Sequence, residues 1–243
     1  VTANPAPASI TAPASITAPA GVVTADSLLD NRLPVLDGLA SILPGLQRGQ
    51  IIGCRGGAAV AFAGVLLVRA TQSGSWAAVL GWPGPGLEYL NEIGVELSRL
   101  VRIEIASHAL AANWVDAVGA ALDGFDLVLV SIPPKINPAA IRAVQQRVRS
   151  RRAVMIAVEE PGSPTPIDVI MTPDLVLDAR PAAWYGLDAG AGYLREREVS
   201  LGIGGRRRPT VTRHRIWLPG PGGAIGAVGA IDAADTTDTA GAI

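Results

Sequence analysis

Apolar residues fall along this chain in short runs, and the period within each run predicts an element. Ile51-Ile-Gly-Cys54 is an unbroken apolar stretch that reads as a buried strand, and residues 59–72 spread apolar side chains around a helix. Trp76–Leu80, Val101–Ile105, Leu127–Val130 and Ala153–Val158 repeat the strand pattern, while 87–93, 114–122 and 138–151 read as helices, the last with Pro138 in its first turn. Strands that alternate with helices in this way imply parallel pairing through right-handed crossovers. Beyond residue 160 the helical period fades. Asp168–Asp178, Tyr193–Ile203 and Thr210–Leu218 read as β segments separated by Gly and Pro, which predicts an antiparallel extension of the parallel sheet. Ahead of the first strand, Leu28, Leu29, Leu33, Val35, Leu36, Leu39, Ile42 and Leu43 suggest a helix or helical turns interrupted by Pro34. The expected fold class is therefore α/β, a parallel core at about 48–160 and a β-rich extension at about 165–219 within one domain spanning 25–219.

The junction between the first strand and first helix, Cys54-Arg-Gly-Gly-Ala-Ala-Val60, has the outline of a nucleotide-binding P-loop. Such a loop uses glycine backbone N–H groups to surround phosphates, a Lys to neutralise them and a Ser or Thr to hold Mg²⁺. Started at Gly53, the frame puts Ala58, Ala59 and Val60 at the Gly, Lys and Ser/Thr positions; started at Gly56, it puts Ala61, Phe62 and Ala63 there. Neither register supplies a cation, and the single lysine, Lys135, lies far downstream. The degenerate loop at Gly53, Gly56, Gly57, Ala58, Ala59 and Val60 therefore predicts no nucleotide cofactor and no catalytic residue.

Both ends differ in composition from the middle. The hexamer Ala-Pro-Ala-Ser-Ile-Thr at 6–11 recurs at 12–17, so residues 1–24 are expected to form a disordered arm: Pro at every sixth position denies the backbone a ladder, and Ala, Ser and Thr offer little burial. Residues 220–243, rich in Gly and Ala with Asp232, Asp235 and Asp238, are expected to be a disordered tail. No apolar run reaches the roughly 18 residues of a membrane span, and no basic and apolar leader pattern is present. With Cys54 the single cysteine of the sequence, no internal disulfide can form, and a cytoplasmic location away from membranes is expected.

Charge adds one feature. The formal net charge is −1, yet Arg195, Arg197, Arg206, Arg207, Arg208, Arg213 and Arg215 meet only Glu196 and Glu198 within residues 194–215. Arg206-Arg207-Arg208 lies between two β segments, as a hairpin tip would, where guanidiniums can contact phosphates or an acidic protein, or stand simply solvated. With Trp217 they are the candidate partner or nucleic-acid contacts. His108 and His214 lack the companions of a metal site, so no metal is expected. Glu159-Glu160 reads as a solvated loop, and Ser107-His108 has no nucleophile-elbow context.

Leu43-Pro-Gly-Leu46-x-Arg48-Gly49, Gly94-Val-Glu-Leu97-x-Arg99-Leu100 and Phe125-Asp-Leu-Val-Leu-Val130 resemble segments of RecA-type ATPase cores. Gly74–Gly81, Leu122–Val130, Trp184-Tyr-Gly-Leu187, Gly190-x-Gly-x-Leu194-x-x-Arg197 and Ile216-Trp-Leu-Pro-Gly-Pro-Gly-Gly223 are similar to the actinobacterial RecA-like proteins that include ImuA-prime, over roughly residues 33–223. That resemblance implies a RecA-like fold and a part in damage-induced (SOS) mutagenesis and translesion DNA synthesis, with a Y-family-like polymerase subunit as partner. Set on the family pattern, the catalytic Glu position falls on Trp82 and the Mg²⁺-organising Asp position on Ser131, while Asp126 stands at the opposite end of its strand. A non-catalytic adaptor acting by protein–protein contact is therefore expected. The alternatives are a DNA-binding or nucleotide-dependent recombinase relative and a SulA-like inhibitor of cell division.

Overall fold

The computed structural model describes residues 31–81, 86–105, 110–133, 136–159, 163, 165–188 and 191–231. The arm at 1–24, Trp82, Ser107, His108, Lys135, Glu160 and the segment from 232 onward lie outside them. The described residues from Arg32 onward cluster as one compact unit.

The chain enters through β1 (Arg32–Leu33), a single 3-10 turn at Asp37–Leu39, and β2 (Leu46–Gln47), which pairs antiparallel with β1. Of the helix or helical turns expected across 28–43, the described residues form that single turn. Pro34 and Pro44 remove backbone donors at both ends, while Leu33, Val35, Leu39 and Leu43 reach the core as separate anchors. The parallel core then follows the expected alternation: β3 (Ile51–Arg55), α1 (Ala59–Gln72), β4 (Ala77–Leu80), α2 (Leu87–Glu92), β5 (Leu100–Ile103), α3 (Leu110–Gly124), β6 (Leu127–Ser131), α4 (Pro138–Arg151) and β7 (Val154–Val158). Helix α4 starts where Asn137 accepts a hydrogen bond from the Ala139 N–H with Pro138 behind it, and ends at Arg152 in the left-handed region.

The remaining elements are α5 (Ile167–Ile170), β8 (Leu175–Asp188), β9 (Ala191–Gly205), β10 (Arg208–Trp217) and β11 (Gly226–Ile231). They give a nine-stranded sheet of order β11-β10-β9-β8-β3-β7-β6-β4-β5. Its strands are parallel from β8 to β5 and antiparallel from β8 to β11. Two expectations need correction. The strand expected at 168–178 is a short helix followed by a strand from Leu175, because Pro166 opens the turn, Glu159 accepts the Ile167 N–H at 2.8 Å, and Pro173 separates the two. The disordered segment expected from 220 contains β11: Gly226–Ile231 pairs with Trp217–Arg213, and Gly226 packs against Gly38, where a Cβ would come within 3.0 Å. Gly-Ala-Val-Gly-Ala-Ile has no strand signature of its own, and the ladder with β10 supplies the order.

Period-two alternation assigns the two faces. Ile52, Cys54, Leu129, Ile156, Leu177, Leu201 and Ile203 join Phe62 and Leu66 of α1 and Leu90 of α2 in one core cluster. Ile51, Leu80, Val128, Val130 and Met155 join Trp114 of α3, Ile141 and Val144 of α4, and Ile167 of α5 in the other. The latter helices pack against the parallel strands, and the same face continues across β8–β10 with polar residues and glycine.

Candidate functional site

In the degenerate phosphate loop the chain turns from β3 into α1 through Gly56 at φ +94°, a backbone angle that favours glycine. The strand next to β3 is β8, in register at Arg55↔Asp178, so its following residue lies against the turn. The Ala58 N–H donates to the Ala179 carbonyl at 2.9 Å, and a Cβ on Gly56 would come within 2.4 Å of that same oxygen. Pro181 approaches the Gly57 Cβ position to 3.2 Å. A backbone donor of the kind that would grip a phosphate is thus committed to β8. The two lysine positions are equally revealing: Ala59 is 1% exposed and Phe62 is completely buried. Either register places a cation inside the apolar core, which explains why the outline of the loop survives without its charge. Cys54, just before the turn, is buried, and desolvation raises its thiol to about 12, so it is an unreactive packing group.

Residues at the carboxyl edge of the parallel strands are occupied structurally. Glu159 starts α5 as described, so it is a half-buried cap rather than the expected solvated loop. Ser131 is 3% exposed, and its carbonyl accepts the Trp114 indole N–H at 2.8 Å. Asp126 lies at the opposite edge, accepting from Arg48 at 2.8 Å and from the Trp76 N–H at 3.0 Å. Among the described residues, no three His, Cys, Asp or Glu side chains converge as metal ligands.

The arginines singled out in the sequence separate into distinct environments. Arg206 and Arg207 stand at the β9–β10 turn and both pair with Asp174, whose side chain is 2% exposed; Arg207 also bonds Gln47. Asp174 accepts the Ile51 N–H at 3.0 Å. Burial acts to raise its carboxyl, but Arg206, the Ile51 N–H and the charge of Arg207 outweigh that and hold it below the usual Asp value. Arg208 reaches the Ile42 carbonyl. These three side chains tie the hairpin to the body of the fold. Arg215 pairs with the buried Glu198 at 2.7 Å, and Glu198 also accepts the Tyr185 hydroxyl at 3.0 Å. Tyr185 meets Trp217 edge to face at 5.5 Å, so Trp217 is half-buried on the outer side of β10 while Ile216 and Leu218 fill the core. Arg213 makes no ion pair among the described residues. His214 contacts Thr212 and is held below its ordinary pKa by burial and by Arg208.

Two features escaped the sequence reading. Residues 184–188 of β8 and 191–197 of β9 pair with each other beyond the end of the β9–β10 ladder, and they expose Trp184, Tyr185, Leu187, Tyr193 and Leu194 by 42–77%. Arg197 lies over the Trp184 ring at 5.0 Å. A cavity of 680 Å³ also lies on the outer face of β8–β10 between Arg55, Arg180, Arg206 and Arg213. Its signal in the sequence was Leu201-Gly-Ile-Gly, in which apolar residues alternate with glycine and leave one strand face bare.

Residues 41–163, just over half of the 243-residue chain, match the model of the family described as the MT3502 N-terminal domain. The chain belongs to this family. The matched MT3502 N-terminal span takes in β2 to β7 and the glycine turn, and stops before α5 and the antiparallel strands. No curated protein sequence matches the chain. Among solved structures it is similar to one described as the crystal structure of the RadB recombinase, with a TM-score of 0.54, 17% identity, and coverage of 74% of this chain and 92% of that one. At that identity the likeness carries the fold alone, which is RecA-like. No helix among the described residues is long and apolar enough to cross a membrane.

Proposed function

We propose that this protein is a non-catalytic RecA-like adaptor that works by protein–protein contact. The observation that supports the reading best is the closed glycine turn. The Ala58 N–H is spent on β8, and both lysine positions are core positions, so the groups on which phosphoryl transfer depends have no room there. A parallel sheet relieved of that chemistry is a rigid support for the antiparallel strands, whose hairpin of β8 and β9 exposes the large apolar side chains Trp184, Tyr185, Leu187, Tyr193 and Leu194, residue types that commonly anchor an interaction site. The resemblance to the ImuA-prime proteins suggests the partner, a Y-family-like polymerase subunit, and the process, damage-induced translesion synthesis. Direct DNA contact through Arg206 and Arg207 is the weaker reading, because Asp174 offsets one of their two charges and Arg207 also bonds Gln47.

The test has two parts. Equilibrium dialysis with labelled ATP and Mg²⁺ should give no saturable binding in the micromolar range. Capture of the polymerase partner should be lost in the folded double variant Trp184→Ser and Tyr193→Ser. Saturable ATP binding abolished at Gly57→Val would refute the non-catalytic reading, and full capture by the double variant would move the interface away from the hairpin.

A further inference from the structure

The outer face of β8–β10 is a trough with a defined cross-section. Register places Asp178, Gly202 and Arg213 in one row across the three strands, and Arg180, Ser200 and Arg215 in the next. The central strand β9 contributes the floor, Ser200, Gly202 and Gly204, with the Val211 side chain lying over Gly204, while β8 and β10 contribute the walls. Neighbouring strands are about 4.8 Å apart, so the walls stand about 10 Å from each other, and five residues of β9 give a floor about 14 Å long. Those dimensions suit an extended chain of about four residues and exceed what a single small anion fills.

The walls are positive on balance. Asp178 is saturated by Arg180, which binds it through two nitrogens at 2.9 Å, and by Arg55 at 3.4 Å. Asp168 is engaged by Arg55 at 3.1 Å. These carboxylates hold their guanidiniums in place, Arg206 stands half-exposed at one end on its buried Asp174, and Arg213 has no acidic partner among the described residues. Val176, Val211 and Pro173 supply apolar contact. No aromatic ring lines the trough, so it has no platform on which a nucleic-acid base could stack.

We propose that this trough binds an extended acidic segment of a protein partner, its Asp or Glu carboxylates reaching Arg213 and the guanidinium N–H groups of Arg180 and Arg206 that Asp178 and Asp174 do not engage, and its small apolar side chains lying on Val176 and Val211. The proposal rests on the adaptor reading and gives it a second, charged contact along the same strands as the exposed hairpin. Arg–carboxylate pairing supplies the specificity, since guanidiniums with fixed geometry match a carboxylate through two nitrogens.

Fluorescence anisotropy of the full chain with a labelled short peptide alternating Glu and Val tests it. Saturable binding is expected, weaker by about tenfold with the Gln-for-Glu peptide. Arg213→Glu should weaken it by at least about tenfold, since it reverses the charge of an exposed side chain with no described ion pair. Gly202→Leu should do the same by filling the floor; a Cβ there meets Asp178 Cβ at 3.4 Å and the Asp178 carbonyl oxygen and Val211 Cγ1 at 3.8 Å, all ordinary contacts. Circular dichroism checks the fold, and if Gly202→Leu does not fold, Arg213→Glu decides alone. Absence of saturable peptide binding, equal binding of the Gln peptide, displacement by millimolar inorganic phosphate, or tighter binding of an oligothymidylate lost in the same variants would each overturn the proposal. ATP dialysis and capture by the hairpin are independent of the trough, so a silent trough overturns this inference while leaving the adaptor reading intact.

Discussion

Restoring the phosphate-loop consensus is the most direct way to test how the glycine turn works. The triple variant Ala58→Gly, Ala59→Lys, Val60→Thr rebuilds Gly-Lys-Thr in the register that begins at Gly53. Ala59 is 1% exposed and begins α1, where core residues from β3 and β8 close around it. A lysine held there loses about 3–5 pKa units by desolvation, and at about 1.4 kcal/mol per unit the cost at pH 7 is about 4 kcal/mol, limited by the side chain shedding its proton once its pKa falls below the ambient pH. The positive end of the helix dipole adds up to about 1 kcal/mol. Against a typical domain stability of about 5–15 kcal/mol, the variant should be severely destabilised at neutral pH. The sign with pH is fixed. The folded-state lysine is depressed, so the penalty vanishes above its unfolded value of about 10.4 and grows as pH falls below it, by about 1.4 kcal/mol per unit until the folded pKa is reached. Urea unfolding of variant and parent at pH 7 and pH 10 should therefore show a gap that narrows by about 4 kcal/mol at the higher pH. An unchanged urea midpoint at pH 7, with saturable Mg²⁺-ATP binding, would refute the argument and mean that the turn can open away from Ala179.

Three further outcomes follow from local contacts. Asp174→Ala should cost about 2 kcal/mol, because it strands the Ile51 N–H and frees Arg206 and Arg207. Since Asp174 is held below its ordinary value, its stabilisation is present above about pH 4 and lost as pH falls through the folded pKa; acid titration followed by fluorescence should show the variant and parent converging at low pH. Gly56→Ala should cost at least about 2 kcal/mol, from the left-handed backbone and from the Ala179 oxygen 2.4 Å from the new Cβ, and thermal unfolding measures it. Cys54, with its thiol at about 12, should react with an aromatic disulfide reagent only at the rate of unfolding, and rapidly in guanidinium.

Sequence alone determined the parallel core, because each of its elements carries its own signal: unbroken apolar strands at 51–54, 127–130 and 154–158, and helical periods at 59–72 and 138–151 that end where the structure ends them. It also determined that the glycine turn lacks the cation and Mg²⁺ ligand of a phosphate loop, since that is a matter of residue identity. Tertiary structure alone decided what replaced that chemistry. Ala179 lies more than a hundred residues beyond Ala58, and only the β3–β8 pairing brings its carbonyl to that N–H. The same holds for the arginines. As a run of charge, Arg206, Arg207 and Arg208 looked like a free basic tip, but Asp174 engages two of them and the Ile42 carbonyl the third, whereas Arg213, with no ion pair among the described residues, is set beside the glycine floor by strand register. Strand β11 is the limiting case: its composition carries almost no preference, and its order comes from the edge of β10. Periodicity is local and can be read along the chain, whereas pairing partners across a sheet depend on register between distant segments, which no single stretch of sequence encodes.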